Sequence, residues 1–85
     1  MVGKWYVVEY VERGCREYVN SLEDLAAHVG LSMKSTKTYL YRGMGTNPRQ
    51  AVHPVTKKVE LITFGAVDMT EPLPDELKDL IAAHV

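Results

Sequence analysis

Between Ser21 and Gly43 the chain reads SLEDLAAHVGLSMKSTKTYLYRG, and no other stretch restricts its folding so tightly. Leu22, Leu25, Ala26 and Val29 recur at the three- and four-residue steps that put side chains on one side of a helix. Asn20 and Ser21 stand just before this stripe. Ser21 with Asp24 fits the S-x-x-[DE] capping box, which satisfies two backbone donors at a helix start. Gly30 ends the stripe, because glycine enters the left-handed conformation without the clash a Cβ brings. Ser32 is placed to cap a second helix, running from about Met33 to about Arg42 and stopped by Gly43. Two short helices joined this closely bury their apolar stripes against each other and leave the second prominent.

The helix pair needs a surface to pack on. Lys4 to Val11, KWYVVEYV, is β-branched and aromatic, and reads as a strand with Trp5, Val7, Glu9 and Val11 on one face and Tyr6, Val8 and Tyr10 on the other. Glu12, Arg13 and Gly14 turn the chain, so that CREYV returns as the second strand of a hairpin. From Gly43 to Pro54 glycines, Asn47 and prolines predict a loop. VELITF at 59–64 reads as a buried strand. It either forms a second, wing-like hairpin with Lys57 and Lys58 at the tip, or joins the N-terminal ribbon in one sheet. PLPDELKDLIAAHV predicts a terminal helix from Pro74 or Asp75, with Leu77, Leu80, Ile81 and His84 in one stripe. The expected fold is α+β: an N-terminal β-hairpin, a helix-turn-helix, a further strand or hairpin, and a C-terminal helix. At 85 residues this is one domain, 1–85, since two cores would leave each half too small to offset its chain entropy.

Charge is unevenly distributed along the chain. Residues 1–30 carry a net −2. Residues 31–58 hold Lys34, Lys37, Arg42, Arg49, Lys57 and Lys58 without a single acid, and residues 59–85 are a net −5. Whole-chain neutrality does not cancel such a local field, because screening acts over a Debye length of ~8 Å. No apolar run has the length of a membrane helix, and glutamates stand near the N-terminus where a signal peptide would be apolar, so a cytoplasmic protein with no membrane partner is expected. The single cysteine, Cys15, excludes an internal disulfide and reads as a small buried or half-buried strand residue. His28, His53 and His84 lack paired-ligand spacing, and His28 reads as solvent-facing, so neither a metal nor another cofactor is expected.

If the second helix reads DNA, its inward side must be apolar and its outward side polar and cationic. Leu31, Thr36 and Leu40 fall inward, with Met33 or Tyr39 at the margin. Lys34, Lys37, Thr38 and Tyr41 fall outward, with Ser35 beside them. LEDLAAHVGLSMKSTKTYLYRG resembles the helix-turn-helix of bacterial and phage repressors, with Ala26, Gly30, Leu31, Ser32, Tyr39 and Leu40 at matching positions. The resemblance covers residues 21–43. It implies base contacts from Met33, Lys34, Lys37 and Thr38, and phosphate near Ser32 and Ser35. Thr36 departs from it, standing where the family usually has valine or isoleucine, and its hydroxyl needs a partner.

The expected function is a small sequence-specific, double-stranded-DNA-binding transcription regulator. Its second helix enters the major groove through Ser32, Met33, Lys34, Ser35, Lys37, Thr38, Tyr41 and Arg42, while Arg49, Lys57 and Lys58 meet phosphate. One reading helix rarely suffices for specificity, so a homodimer is expected through Leu77, Leu80 and Ile81 or an exposed N-terminal strand edge. The alternative is a phage-type inhibitor or antirepressor that keeps the helix pair as scaffold and engages a protein partner through acidic residues 68–79. An enzyme is not expected, since no nucleophile, base and orienting group are grouped.

Overall fold

The computed structural model describes residues 4–68 and 70–84. Strands β1 (Tyr6–Tyr10) and β2 (Cys15–Val19) form the N-terminal hairpin, followed by helices α1 (Leu22–Val29) and α2 (Met33–Arg42). A single 3-10 turn, Met44–Thr46, leads into β3 (Arg49–Val52) and β4 (Val59–Ala66), and α3 (Asp75–His84) ends the chain. The α+β arrangement read from the sequence is the one observed. The two placements for 59–64 both hold: β3 and β4 pair as a hairpin, and β4 also pairs with β1, giving one antiparallel sheet in the order β2-β1-β4-β3. The loop expected over 43–54 is shorter than read. Arg49–Val52 is a strand, because pairing with Val59–Ile62 supplies bonds that four polar-flanked residues could not secure alone.

The pleat divides the sheet into two faces. Tyr6, Val8, Tyr10, Val19, Ala51, Ile62 and Phe64 are buried beneath the helix pair with Leu25 and Val29, and Leu22, Leu31, Tyr39 and Leu40 pack at the edge of this core. The opposite face carries Val7, Tyr18 and Val67, and Pro74 at the start of α3 shares a hollow with them. Leu77 is fully buried. The stripe expected to dimerise is thus partly spent inside the chain, leaving Ile81 half-buried and Leu80 exposed; the side chain of His84 lies outside the described residues. In the N-terminal hairpin β1 is flanked by β2 and β4, whereas β2 stands at the edge of the sheet. Val11, Val52 and Val59 are exposed.

The helix pair is built by local chemistry. Ser21 Oγ accepts the Asp24 N–H at 3.1 Å and Ser32 Oγ accepts the Ser35 N–H at 3.1 Å, so both helices start on the serine expected. Gly30 (φ 71°) and Gly43 (φ 67°) end them in the left-handed region. Past α2, Gly45 is buried where a Cβ would run into the Phe64 carbonyl, which lets the chain drop directly from the helix onto the sheet.

Candidate functional site

Thr36 is the one buried residue of α2, 0% exposed. Its hydroxyl donates to the Ser32 carbonyl at 2.8 Å, so the polar atom at this core position is satisfied within its own helix. With Thr36 inward, Lys34, Lys37, Thr38, Tyr41 and Arg42 are all exposed on the other side, Tyr41 at 93%. Met33, placed at the core margin or against a base by the sequence, is also exposed. Ser32 is exposed and Ser35 half-buried, and the Ser32 hydroxyl donates to that of Ser35 at 3.1 Å. Thr38 donates back to the Lys34 carbonyl at 3.1 Å.

Lys57 and Lys58 are exposed in the β3–β4 connection, as the hairpin reading placed them. Arg49 stands apart from the other cations. It is half-buried, its guanidinium lies 5.8 Å from the Tyr39 ring centre, and its Nε is buried without a hydrogen-bond partner among the described residues. Val29 and Gly30, just ahead of α2, border the same groove as Arg49, Val52 and Val59. The end of α1 and the β3–β4 hairpin are therefore neighbours.

Behind this surface lies a polar cluster that the sequence reading did not assemble. Glu17 alternates onto the helix-facing side of β2, opposite Val8. Its Oε1 accepts from His53 Nε2 at 3.1 Å. Its Oε2 accepts from the Tyr10 hydroxyl at 3.1 Å and faces His28 Nε2 at 3.1 Å. Burial alone would raise the Glu17 pKa, but hydrogen bonds from His53 and Tyr10 and electrostatic attraction to the two imidazoles outweigh it and hold the carboxylate below its ordinary range. Burial and the Glu17 charge push the Tyr10 phenol far above its usual value, so the hydroxyl stays protonated and donates. His28 is half-buried and donates from Nδ1 to the Asp24 carbonyl at 2.9 Å, which corrects its assignment as a solvent-facing helix residue. The helix turns that ring toward the Glu17 carboxylate. Cys15 is likewise corrected: it is exposed, since the hairpin end of β2 extends past the core.

Glu17, His28 and His53 are the one trio among the described residues with ligand atoms mutually within 4.8 Å. The hydrogen bonding of His53 does not suit a metal. Its Nδ1 accepts the N–H groups of Val55 and Thr56 at 3.1 and 3.2 Å, which places the ring proton on Nε2, the atom that would have to ligate. The trio is a hydrogen-bonded brace between β2, α1 and the β3–β4 connection. The only signal for it in the sequence was a glutamate whose strand parity points inward, because its partners lie 11 and 36 residues away.

The chain matches no family model, no curated protein and no solved structure. The function therefore rests on the geometry above. No helix among the described residues is long and apolar enough to cross a membrane.

Proposed function

We propose that this protein is a small sequence-specific DNA-binding transcription regulator, acting in the cytoplasm, that inserts α2 into the major groove. The observation that carries the reading is the two-sidedness of α2. Thr36, its hydroxyl satisfied, faces the core with Tyr39 and Leu40 beside it, while Lys34, Lys37, Thr38, Tyr41 and Arg42 project from the same ten-residue helix. Ten residues span about 15 Å, enough to lie in a groove about 12 Å wide with the first turn toward base edges. Ser32, Met33 and Ser35 stand at that end. Lys57 and Lys58 in the β3–β4 connection are exposed as well, and with Lys34, Lys37 and Arg42 they make five exposed cations for phosphate. Arg49, set against Tyr39, holds the base of the hairpin and adds its charge at closer range to the core.

Titration onto a random-sequence duplex tests the reading. For about five phosphate contacts, log affinity should fall with log salt at a slope of order −4 to −5. A salt-independent slope, or no binding at low salt, refutes it. Selection from random sequences then identifies the site.

A second reading is favoured by Asp68, Glu71, Asp75, Glu76 and Asp79, which are all exposed at and before α3. They suit an inhibitor or antirepressor that engages a basic protein surface and uses the helix pair as scaffold. The same titration separates the two, since an acidic binder of this kind retains no affinity for random duplex.

A further inference from the structure

His53 is buried at 8% exposure and joins two structures at once. From Nε2 it donates to Glu17 Oε1, and through Nδ1 it accepts the N–H groups of Val55 and Thr56. The main chain closes the same connection, His53 N–H donating to the Lys58 carbonyl at 2.9 Å and Lys57 N–H to the His53 carbonyl at 3.0 Å. Between these points Pro54 is half-buried, while Val55, Thr56, Lys57 and Lys58 are exposed, and Lys57 is held at φ 62°. Little apolar burial shapes this segment. Its conformation depends on the hydrogen bonds, and the acceptor at their centre is a titratable ring.

A second proton on that ring has one place to go, Nδ1. There it replaces the lone pair that two N–H groups point at, so both bonds are lost and three hydrogens converge. We propose that His53 is a proton-sensitive latch on the 53–58 connection. The neutral ring, protonated on Nε2, holds Lys57 and Lys58 in a fixed arrangement, and protonation at Nδ1 opens the connection while Nε2 stays anchored to Glu17.

The groups around the ring decide that the event is a local opening. Glu17 of β2 attracts a cationic ring and keeps it in place. Tyr10 of β1, its ring centre 5.8 Å away, donates to the same carboxylate. His28 of α1, 5.6 Å away, lies between two acceptors, the Asp24 carbonyl and Glu17, an arrangement that its imidazolium satisfies in full. Beyond them Arg13 pairs with Glu60 of β4, with its guanidinium over Tyr10. Glu17 on the Nε2 side favours the added charge, while a charged His28 and the two N–H groups on the Nδ1 side oppose it. The latch does not depend on what the lysine pair binds.

The test is NMR on the full chain, following the imidazole nitrogens and the backbone amides of 53–58 as the pH is lowered through the histidine range. At neutral pH Nδ1 of His53 should be unprotonated and Nε2 protonated. As the ring gains its second proton, protection of the Val55 and Thr56 amides, corrected for intrinsic exchange, should fall about tenfold or more for two lost hydrogen bonds, with β4 amides unchanged. His53→Asn offers an acceptor at the place of Nδ1 and no titrating ring, so its connection should stay closed at every pH. His28→Gln should keep the response. A proton on Nδ1 at neutral pH, turn amides unmoved while His53 titrates, or an equal response in His53→Asn overturns the latch. So does zinc alone binding through Nε2 of both histidines. If His53→Asn fails to fold, the wild-type tautomer and turn amides still decide the matter.

Discussion

Thr36 carries a hydroxyl into a position of complete burial, and the Ser32 carbonyl takes it up without help from another element. That carbonyl also accepts the Thr36 N–H at 2.9 Å, so removing the hydroxyl strands no partner. Thr36→Val should therefore be neutral or slightly stabilising, whereas Thr36→Ser, which loses a buried methyl, should cost about 1 kcal/mol in urea unfolding. Gly45 and Gly65 make a sharper pair. A Cβ on Gly45 meets the Phe64 backbone, which cannot swing aside, while one on Gly65 meets nothing within 4 Å. Gly45→Ala should destabilise by about 1–3 kcal/mol and Gly65→Ala should leave the melting temperature nearly unchanged. Glu17 sets a pH dependence. Its pKa is lowered in the fold, so its stabilising contribution is present above the ordinary value of 4.5 and is lost as pH falls through the folded value. Glu17→Gln should be less stable at neutral pH and show a shallower loss on acidification; parallel pH profiles would remove Glu17 from that role.

Among the elements, α2 is held by its ends and by a narrow inward side, with its outward side left free. Ser32 accepts the Ser35 N–H at the helix start, so Ser32→Ala should cost about 1 kcal/mol of stability by the loss of a capping bond. The lysines on the outward side answer a different question. If Lys34 or Lys37 reads a base, its replacement by alanine should cost about 1–3 kcal/mol of DNA affinity and relax preference at one position. Uniform weakening across sequences, with the salt slope reduced by about one, assigns the residue to phosphate instead. Neither substitution should alter stability much, since both side chains are exposed. The β3–β4 hairpin was harder to read than α2. Arg49–Val52 has no strand signal of its own, and becomes a strand because β4 stands ready with a free edge.

The whole molecule measures 31 × 25 × 19 Å, and under the proposed function one chain would present one reading helix. Two half-sites about 34 Å apart would need a second copy, so if the protein is the proposed DNA reader it should dimerise on its target duplex. Sedimentation with and without the selected duplex checks this, and a single chain per duplex refutes it. The strands other than Arg49–Val52, both helix caps, the turn glycines and the outward face of α2 were legible because each is written in residues a few positions apart. Local propensity and pleat or helix periodicity suffice for them. The sequence alone thus determined the helices, the strands other than Arg49–Val52, and which side chains of α2 face out. It also determined the acid-free run that gathers six cations over 31–58. Tertiary structure decided what depends on contacts between distant segments: that β4 joins both hairpins into one sheet, that Leu77 is spent inside the chain, and that Glu17, His28 and His53 meet. Such contacts form only when separate elements dock, and neither spacing nor composition specifies that geometry.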